Sequence, residues 1–522
     1  MGRFSIGDRV MIYNDPNNIS KIVDVTIEKS GKLIFKVEKK GSFYQEDLRL
    51  VSENDPDIQP EGNIQTVAVQ GLGFVGAAMA VAVANASDNQ GNPLFQVVGV
   101  DLPTATGRER VKKINSAHFP FESGDKKIIE GIQNAVSRGN LTATTDDKVF
   151  RNADIILVSV NMDISSINGR KNIQFEAFQN AIYTLGKNIK QGVLLIIETT
   201  VPPGTCEKIV QPIIHEQAKK RGIDTDSIHI AHSYERVMPG ENYLDSIINF
   251  WRVYSGLTVE AADKCEAFLS RIINVKEYPL VRLNSTIASE TAKVLENSYR
   301  AVNIAFIEEW GRFAEEVGID LYEVIDAIRV RPTHSNIRHP GFGVGGYCLT
   351  KDPLFAMISA REIFNLNGHN FPFSTQALEI NQNMPLVTFN KLKKHFNGKI
   401  KGKKILLMGI SYREDVGDTR FSPAEVFFEH ARKEGAQVFP HDPLVEYWEE
   451  IQLKINRNLP DANGFDAIVF SVPHRVYRDI NFDIWLKNNR ECLIFDANNV
   501  LTNEQRQAIK ELDNKYISIG RG

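Results

Sequence analysis

Followed as a pattern of apolar and polar positions, the chain divides into four stretches. Residues 8–13, 19–28, 32–39 and 42–51 alternate apolar with polar side chains, and Ser30-Gly31 supplies a turn. That period of two predicts a small all-β unit over residues 1–57, of the SH3-like barrel type. The polar run 52–63 reads as a linker. From residue 66 the pattern changes to short apolar runs at 66–69, 96–100, 155–160 and 193–198, separated by helical segments. Such alternation over 64–284 predicts a parallel sheet covered by helices on both faces. Next comes a long helix from about residue 285 to 317, whose apolar positions Leu295, Tyr299, Val302, Phe306, Trp310, Phe313 and Val317 recur at steps of three and four. At ~1.5 Å per residue it makes a spine of roughly 45 Å, long enough to bridge two α/β units. We assign 285–396 to this helical connector. A second α/β series follows over 397–522, with strands expected at 404–408, 437–440, 467–471 and 492–496.

Composition narrows the classes of function. A net charge of −4, with 42% hydrophobic and 24% charged residues, gives no basic surface for nucleic acid. The barrel segment, with nine basic and ten acidic residues, gives none either. The N-terminus lacks the layout of a signal peptide, and no apolar stretch approaches the roughly 20 residues that span a bilayer. Cys206, Cys265, Cys348 and Cys492 lie far apart without metal-ligand spacing, so a reduced, cytoplasmic chain without a metal centre is expected.

Two segments carry chemistry. Gly71-Leu72-Gly73-Phe74-Val75-Gly76 leaves a strand and opens an alanine-rich helix. Glycines at this spacing allow a tight turn, close approach of a pyrophosphate and close helix–strand packing. Asp101 ends the next strand, 25 residues beyond Gly76, where an acid meets ribose hydroxyls and disfavours a 2′-phosphate. The cofactor expected is NAD. Residues 341–353, GFGVGGYCLTKDP, are too glycine-rich for a regular element and suit a loop lying against a ligand. Cys348 follows the glycines, with Lys351 and Asp352 close behind, and a nearby cation favours a thiolate. By spacing alone Cys348 fits a buried small hydrophobe or a nucleophile equally well.

The order GxGxxG, ETTVPPGT (198–205), ERVMPG (235–240), ETAKVLENSYRAVN (290–303), GFGVGGYCLTKDP and GISYREDVGDTR (409–420) resembles the UDP-glucose/GDP-mannose dehydrogenase family over about residues 64–520. The resemblance implies two Rossmann-like domains flanking a helical middle, a homodimer around the long helix, and a four-electron, two-NAD oxidation of the C6 hydroxyl of a UDP-sugar. It implies that Cys348 traps an aldehyde as a thiohemiacetal and carries the ensuing thioester. It further implies that Lys293 assists proton removal, that Asn297 holds substrate, and that Asp352 organises water. Glu235 would serve thioester hydrolysis, and Thr200 would stand near the water and the nicotinamide. Gly71, Gly73, Phe74, Val75, Gly76, Asp101, Ser159, Thr200, Lys351 and Arg420 would contact the cofactor. Glu235, Arg236, Lys293, Asn297, Gly345, Tyr412, Arg413 and Arg338 would contact the substrate, with Arg331 and His334 also within reach.

The match departs in two places. The first-domain strand runs into VNMD (160–163) where the family has Asn-Thr-Pro, and the last sheet strand ends Asp496-Ala497-Asn498-Asn499 where the family has an arginine. The ERVMPG form resembles members acting on UDP-N-acetylhexosamines, with UDP-glucose as the alternative. A two-electron hydroxyacid dehydrogenase, or a non-enzymatic nucleotide-sugar-binding or assembly protein, are the competing readings.

Overall fold

A computed structural model describes residues 64–522 apart from 168, 169 and 239, and before residue 64 the backbone of five strands. These are β1 (Arg9–Ile12), β2 (Asp15–Ile27), β3 (Leu33–Val37), β4 (Gly41–Tyr44) and β5 (Leu48–Leu50). They form one antiparallel sheet in the order β4-β3-β2-β1-β5, the last strand returning to pair with the first. The run expected as one strand at 42–51 is divided between β4 and β5. The linker expected at 52–63 lies outside the described residues.

The second unit is built on β6 (Gln65–Gln70), β7 (Phe95–Val100), β8 (Leu141–Thr144) and β9 (Ile155–Val158), followed by the hairpin β10 (Ile164–Ile167) and β11 (Arg170–Ile173). Strands β12 (Leu194–Ile197), β13 (His229–His232), β14 (Val253–Gly256) and β15 (Val281–Arg282) complete it. The eight-stranded sheet runs β15-β14-β13-β12-β9-β6-β7-β8. Its first six strands in the sequence are parallel, while β14 pairs antiparallel with β13. The strands have buried apolar runs such as Leu194–Ile197 because helices cover both faces. The chain moves outward from β6 to β8, then returns to β9 on the other side of β6. That reversal opens a crevice at the carboxyl ends of β6 and β9, the place where doubly wound sheets bind ligands.

The third unit repeats the principle with five parallel strands: β16 (Lys404–Met408), β17 (Gln437–His441), β20 (Ala467–Phe470), β21 (Leu493–Asp496) and β22 (Tyr516–Ser518). A small ribbon, β18 (Tyr447–Trp448) with β19 (Leu453–Lys454), lies between β17 and β20 in the chain. The order β17-β16-β20-β21-β22 places the reversal between β16 and β20.

The spine helix Thr286–Val317 joins the two α/β units. Ser285 caps its start by accepting from the Ala288 N–H, and Gly318 ends it in the left-handed conformation at φ 78°. The helix Pro372–His395, absent from the sequence-based expectation, packs beside it, with Asn381 donating to the Ala301 carbonyl. Apart from Val302, which packs against Ala301, Ala305 and Ala377, the apolar stripe legible in the sequence does not face the chain's own core. Leu295, Tyr299, Phe306, Trp310, Phe313 and Val317 are between 48% (Trp310) and 65% (Leu295) exposed. The inward face instead buries Ser289, Glu290, Lys293, Asn297, Ala301 and Glu308.

Candidate active site

The glycine turn divides its work in the way a dinucleotide cradle requires. Gly71 has φ 90°, and a Cβ there would meet the Ser159 carbonyl oxygen at 2.8 Å. A Cβ on Gly76 would strike the Gly71 carbonyl oxygen at 1.8 Å. At Gly73 a Cβ would meet nothing within 4 Å. Two glycines therefore close the turn and pack the helix, while the third leaves its side open. Gly73 caps the helix Phe74–Asn85 with no side chain bonded to its first N–H groups, which stay available to an anion. Asp101 accepts from the Leu102 N–H at 2.8 Å and from Arg110 at 3.3 Å. The residues fit a bound NAD: an open phosphate turn, an acid at the ribose end, and the exposed N-terminus of a helix.

Around this turn, Phe74 stacks on Phe121 with ring centroids 3.9 Å apart, and the Arg420 guanidinium from the third unit lies 4.5 Å from the Phe74 centroid. Arg420 is held by both carboxylate oxygens of Asp418. Val75 is half-buried beside it. Ser159, beyond β9, donates its backbone N–H to the Gln70 carbonyl and its hydroxyl to Glu198. Burial pushes Glu198 up to about 7, despite Arg252 at 3.7 Å. Thr200 is half-buried three residues beyond β12.

The catalytic group predicted from sequence converges. Cys348 is reachable by solvent, with protein packed closely around its sulfur. That burial, followed by the Asp352 carboxylate, pushes its thiol up to about 11, while Lys293 and Lys351 act in the opposite direction. Lys293 is buried and donates to the Glu235 carbonyl at 3.0 Å, its ammonium 5.2 Å from the Tyr234 ring centroid. Burial alone would lower Lys293, but Glu235, Cys348, Asp352 and Glu296 together hold it above its ordinary value. Asp352 is fully buried and accepts from Asn297 and from Lys351, each at 2.8 Å. The Cys348 carbonyl accepts from both the Lys351 and Asp352 N–H groups, turning the chain back directly after the cysteine. Lys351 is committed to Asp352 and lies between the Tyr347 and Phe355 rings at 4.2 and 4.5 Å. The Glu235 carboxylate accepts from the Val237 N–H, and Arg236 pairs with Glu296 at 3.2 Å.

The third unit closes the loop from the other side. A Cβ on Gly345 would meet Tyr412 at 2.7 Å, and one on Gly346 would meet its ring at 2.8 Å. Tyr412 and Arg413 line a small cavity with Ser471, Pro473 and Asn498 at the β16–β20 reversal. Asn498, in the segment after β21 where the family's arginine is absent, is one of the residues lining that cavity. Arg338 is exposed, as is Arg331, and His334 is half-buried. Sequence reasoning missed Arg300, whose basicity is lowered by burial first and then by Arg338, with Arg413 adding to it and Cys348 opposing it. The available signal was its position on the spine, seven residues after Lys293 and three after Asn297, one face of a helix. Tyr234 and Tyr347 were missed as well.

Family models cover most of the chain in the expected order. The NAD binding domain of the UDP-glucose/GDP-mannose dehydrogenase family matches residues 65–273, its central domain 287–383 and its UDP binding domain 406–503. The chain belongs to the UDP-glucose/GDP-mannose dehydrogenase family. This dehydrogenase is 30% identical over 441 residues to the UDP-N-acetyl-D-mannosamine dehydrogenase of Pyrococcus horikoshii, covering 83% of this chain and 96% of that protein. It is also 30% identical over 452 residues to the enzyme of that name from Methanocaldococcus jannaschii, covering 86% and 95%. A solved structure of UDP-D-ManNAc dehydrogenase from Pyrococcus horikoshii superposes with a TM-score of 0.72 at 27% identity, over 88% of this chain and all of that one. The dehydrogenase therefore has the oxidoreductase activity and NAD dependence of its family. Among the described residues no helix is long and apolar enough to cross a membrane, and no group of His, Cys, Asp and Glu could hold a metal ion.

Proposed function

We propose that this dehydrogenase oxidises the C6 hydroxyl of a UDP-N-acetylhexosamine, of the gluco or manno configuration, to the uronic acid. The convergence of Cys348, Lys293, Asn297 and Asp352 around one another carries the reading. Two relatives of manno specificity at 30% identity support the choice of sugar. Gly71, Gly73, Gly76, Asp101, Ser159 and Arg420 hold NAD, which accepts one hydride in each of two successive oxidations.

The chain's own groups do the rest. Lys293, fixed by the Glu235 carbonyl, guides the proton from the alcohol and stabilises oxyanions that develop at C6. The Cys348 thiol then adds to the aldehyde, its sulfur bonding to carbon as the C=O π bond opens and a proton passing from sulfur to that oxygen, which gives a thiohemiacetal. Lys293 favours the thiolate needed for this step, against the burial and the Asp352 charge that hold the proton on. Oxidation of the thiohemiacetal leaves a thioester. Water, ordered by Asp352 and aided by Glu235, adds to its carbonyl, the C–S bond breaks, and Cys348 regains its proton as the acid departs. Asn297 keeps its amide on Asp352 and its place beside the sugar.

Arg300 of the spine feels the positive charges of Arg338 and Arg413 and the charge of Cys348, a basic neighbourhood suited to an anion such as a diphosphate. The exposed apolar stripe on the spine supports a homodimer through the central helix. We place the enzyme in the cytoplasm, in keeping with its free thiols. A panel of UDP- and GDP-sugars, scored by NADH formed, tests the reading. Turnover with UDP-N-acetylhexosamines above UDP-glucose supports it, and preference for UDP-glucose overturns the substrate choice.

A further inference from the structure

The glycine-rich loop that presents Cys348 has little stiffness of its own. Gly346 sits at φ 82°, and Gly343, Gly345 and Gly346 contribute no side chains to packing. On one side the Tyr412 ring from the third unit backs Gly345 and Gly346. Beside the loop lies a cavity of about 460 Å³, lined by Val344, Leu349, Thr350 and Lys351 of the loop and by Asp163 and Phe421. A side-chain hydrogen bond ties the loop to the NAD-binding unit. The Tyr347 hydroxyl donates to Asp163 Oδ1 at 2.5 Å, linking the residue before Cys348 to the segment that follows β9. Asp163 ends the VNMD stretch, one of the two places where the sequence departs from the family pattern.

We propose that Tyr347 and Asp163 form a clasp that positions the Cys348 loop against the NAD-binding unit. The contact continues into the catalytic group. The Tyr347 ring lies 4.2 Å from the Lys351 ammonium, Lys351 bonds one oxygen of Asp352, and Asn297 of the spine bonds the other. Asp163, Tyr347, Lys351, Asp352 and Asn297 thus run as one chain of contacts from the cofactor side to the spine, passing beneath Cys348. Burial, then the bond to Asp163, raises the Tyr347 hydroxyl above its ordinary value, so it remains a donor throughout the physiological range. Asp163 and Tyr347 are positioning residues, acting on the substrate through the orientation of Cys348.

The meaning of the clasp in turnover rests on Cys348 as the nucleophile, but the clasp itself is measurable without turnover, by the rate at which iodoacetamide alkylates Cys348 in the full chain. Tyr347→Phe and Asp163→Ala are each expected to raise that rate about three- to tenfold, on the order of one lost charge-assisted hydrogen bond. The double variant is expected to rise no further. Asp163→Asn, which keeps an accepting oxygen, is expected within about twofold of the unsubstituted chain. In turnover the first two variants lower kcat and leave KM for the sugar unchanged. Unchanged alkylation in Tyr347→Phe, additive effects in the double variant, or an Asp163→Asn rate equal to that of Asp163→Ala overturns the clasp. Absence of NADH with every nucleotide sugar would overturn the proposed reaction instead, and would leave the alkylation result standing.

Discussion

The inner and outer faces of the spine helix carry opposite chemistry, in an order reversed from an ordinary surface helix. Inward stand Ser289, Glu290, Lys293, Asn297 and Glu308, all buried. Outward stand Leu295, Tyr299, Phe306, Trp310, Phe313 and Val317, all exposed. A helix in a lone globular chain puts its apolar stripe on the core. Here the inner face is built to hold charge in fixed positions, at the cost of desolvating it, and the outer face carries the hydrophobic surface. Each of these charged groups has a specific partner: Glu290 accepts from the Gly204 and Cys206 N–H groups, Glu308 accepts from the Gly341 N–H, and Lys293 donates to the Glu235 backbone carbonyl. The inner face is thus a scaffold for the site, and the outer face leaves its apolar stripe open to solvent in the single chain.

The largest effects belong to the inner face. Cys348→Ser is expected to abolish net acid formation while NAD binding persists, measured by product analysis and by cofactor titration. Lys293→Ala is expected to lower kcat by about a hundredfold to ten-thousandfold, the range for a group that handles a reacting proton. On the outer face, Trp310→Glu combined with Phe306→Glu places two charges in the stripe, whose aromatic side chains are each worth roughly 1.5–3 kcal/mol when buried. Sedimentation is expected to show a monomer for that variant and a dimer for the parent. A parent chain that sediments as a monomer would sever the comparison at its outer half.

A smaller effect tests the buried carboxylates. Burial raises Glu290 and Glu308 from the ordinary 4.5 to about 7. The folded state therefore binds protons that the unfolded chain has already released between those values. The resulting stability is complete below pH 4.5 and is lost as pH rises through about 7. Thermal midpoints are expected to fall between pH 5 and pH 8, and Glu308→Gln, neutral at every pH, should flatten that slope. An unchanged slope would mean that Glu308 is charged in the folded chain throughout.

Much of the site was legible because its chemistry lies on short contiguous stretches. The glycine turn, the loop ending in Cys348, and the Lys293–Asn297 pair each announce themselves within a few residues, and the structure brings the latter two together. What the sequence could not convey was which way a face points. Periodicity found the stripe from Leu295 to Val317, but the same pattern would serve a core or a partner. Strands β13, β14 and β15, which run out to one edge of the sheet, were missed for a different reason. His229–His232 has polar ends, and Val281–Arg282 is only two residues long, so tertiary pairing alone makes them strands. Arg300 on a helix reads as a solvated charge until Arg338 and Arg413 are placed near it. The departure at Asn498 was visible in sequence, and the structure places that amide in the cavity with Tyr412 and Arg413.

The most direct test of the reaction assigned to the inner face is the number of NADH molecules formed per UDP-N-acetylhexosamine consumed, measured to completion with limiting sugar. Covalent capture by Cys348 followed by a second oxidation predicts two. A ratio of one, with the aldehyde or ketone accumulating, would contradict it and assign the chain to two-electron chemistry.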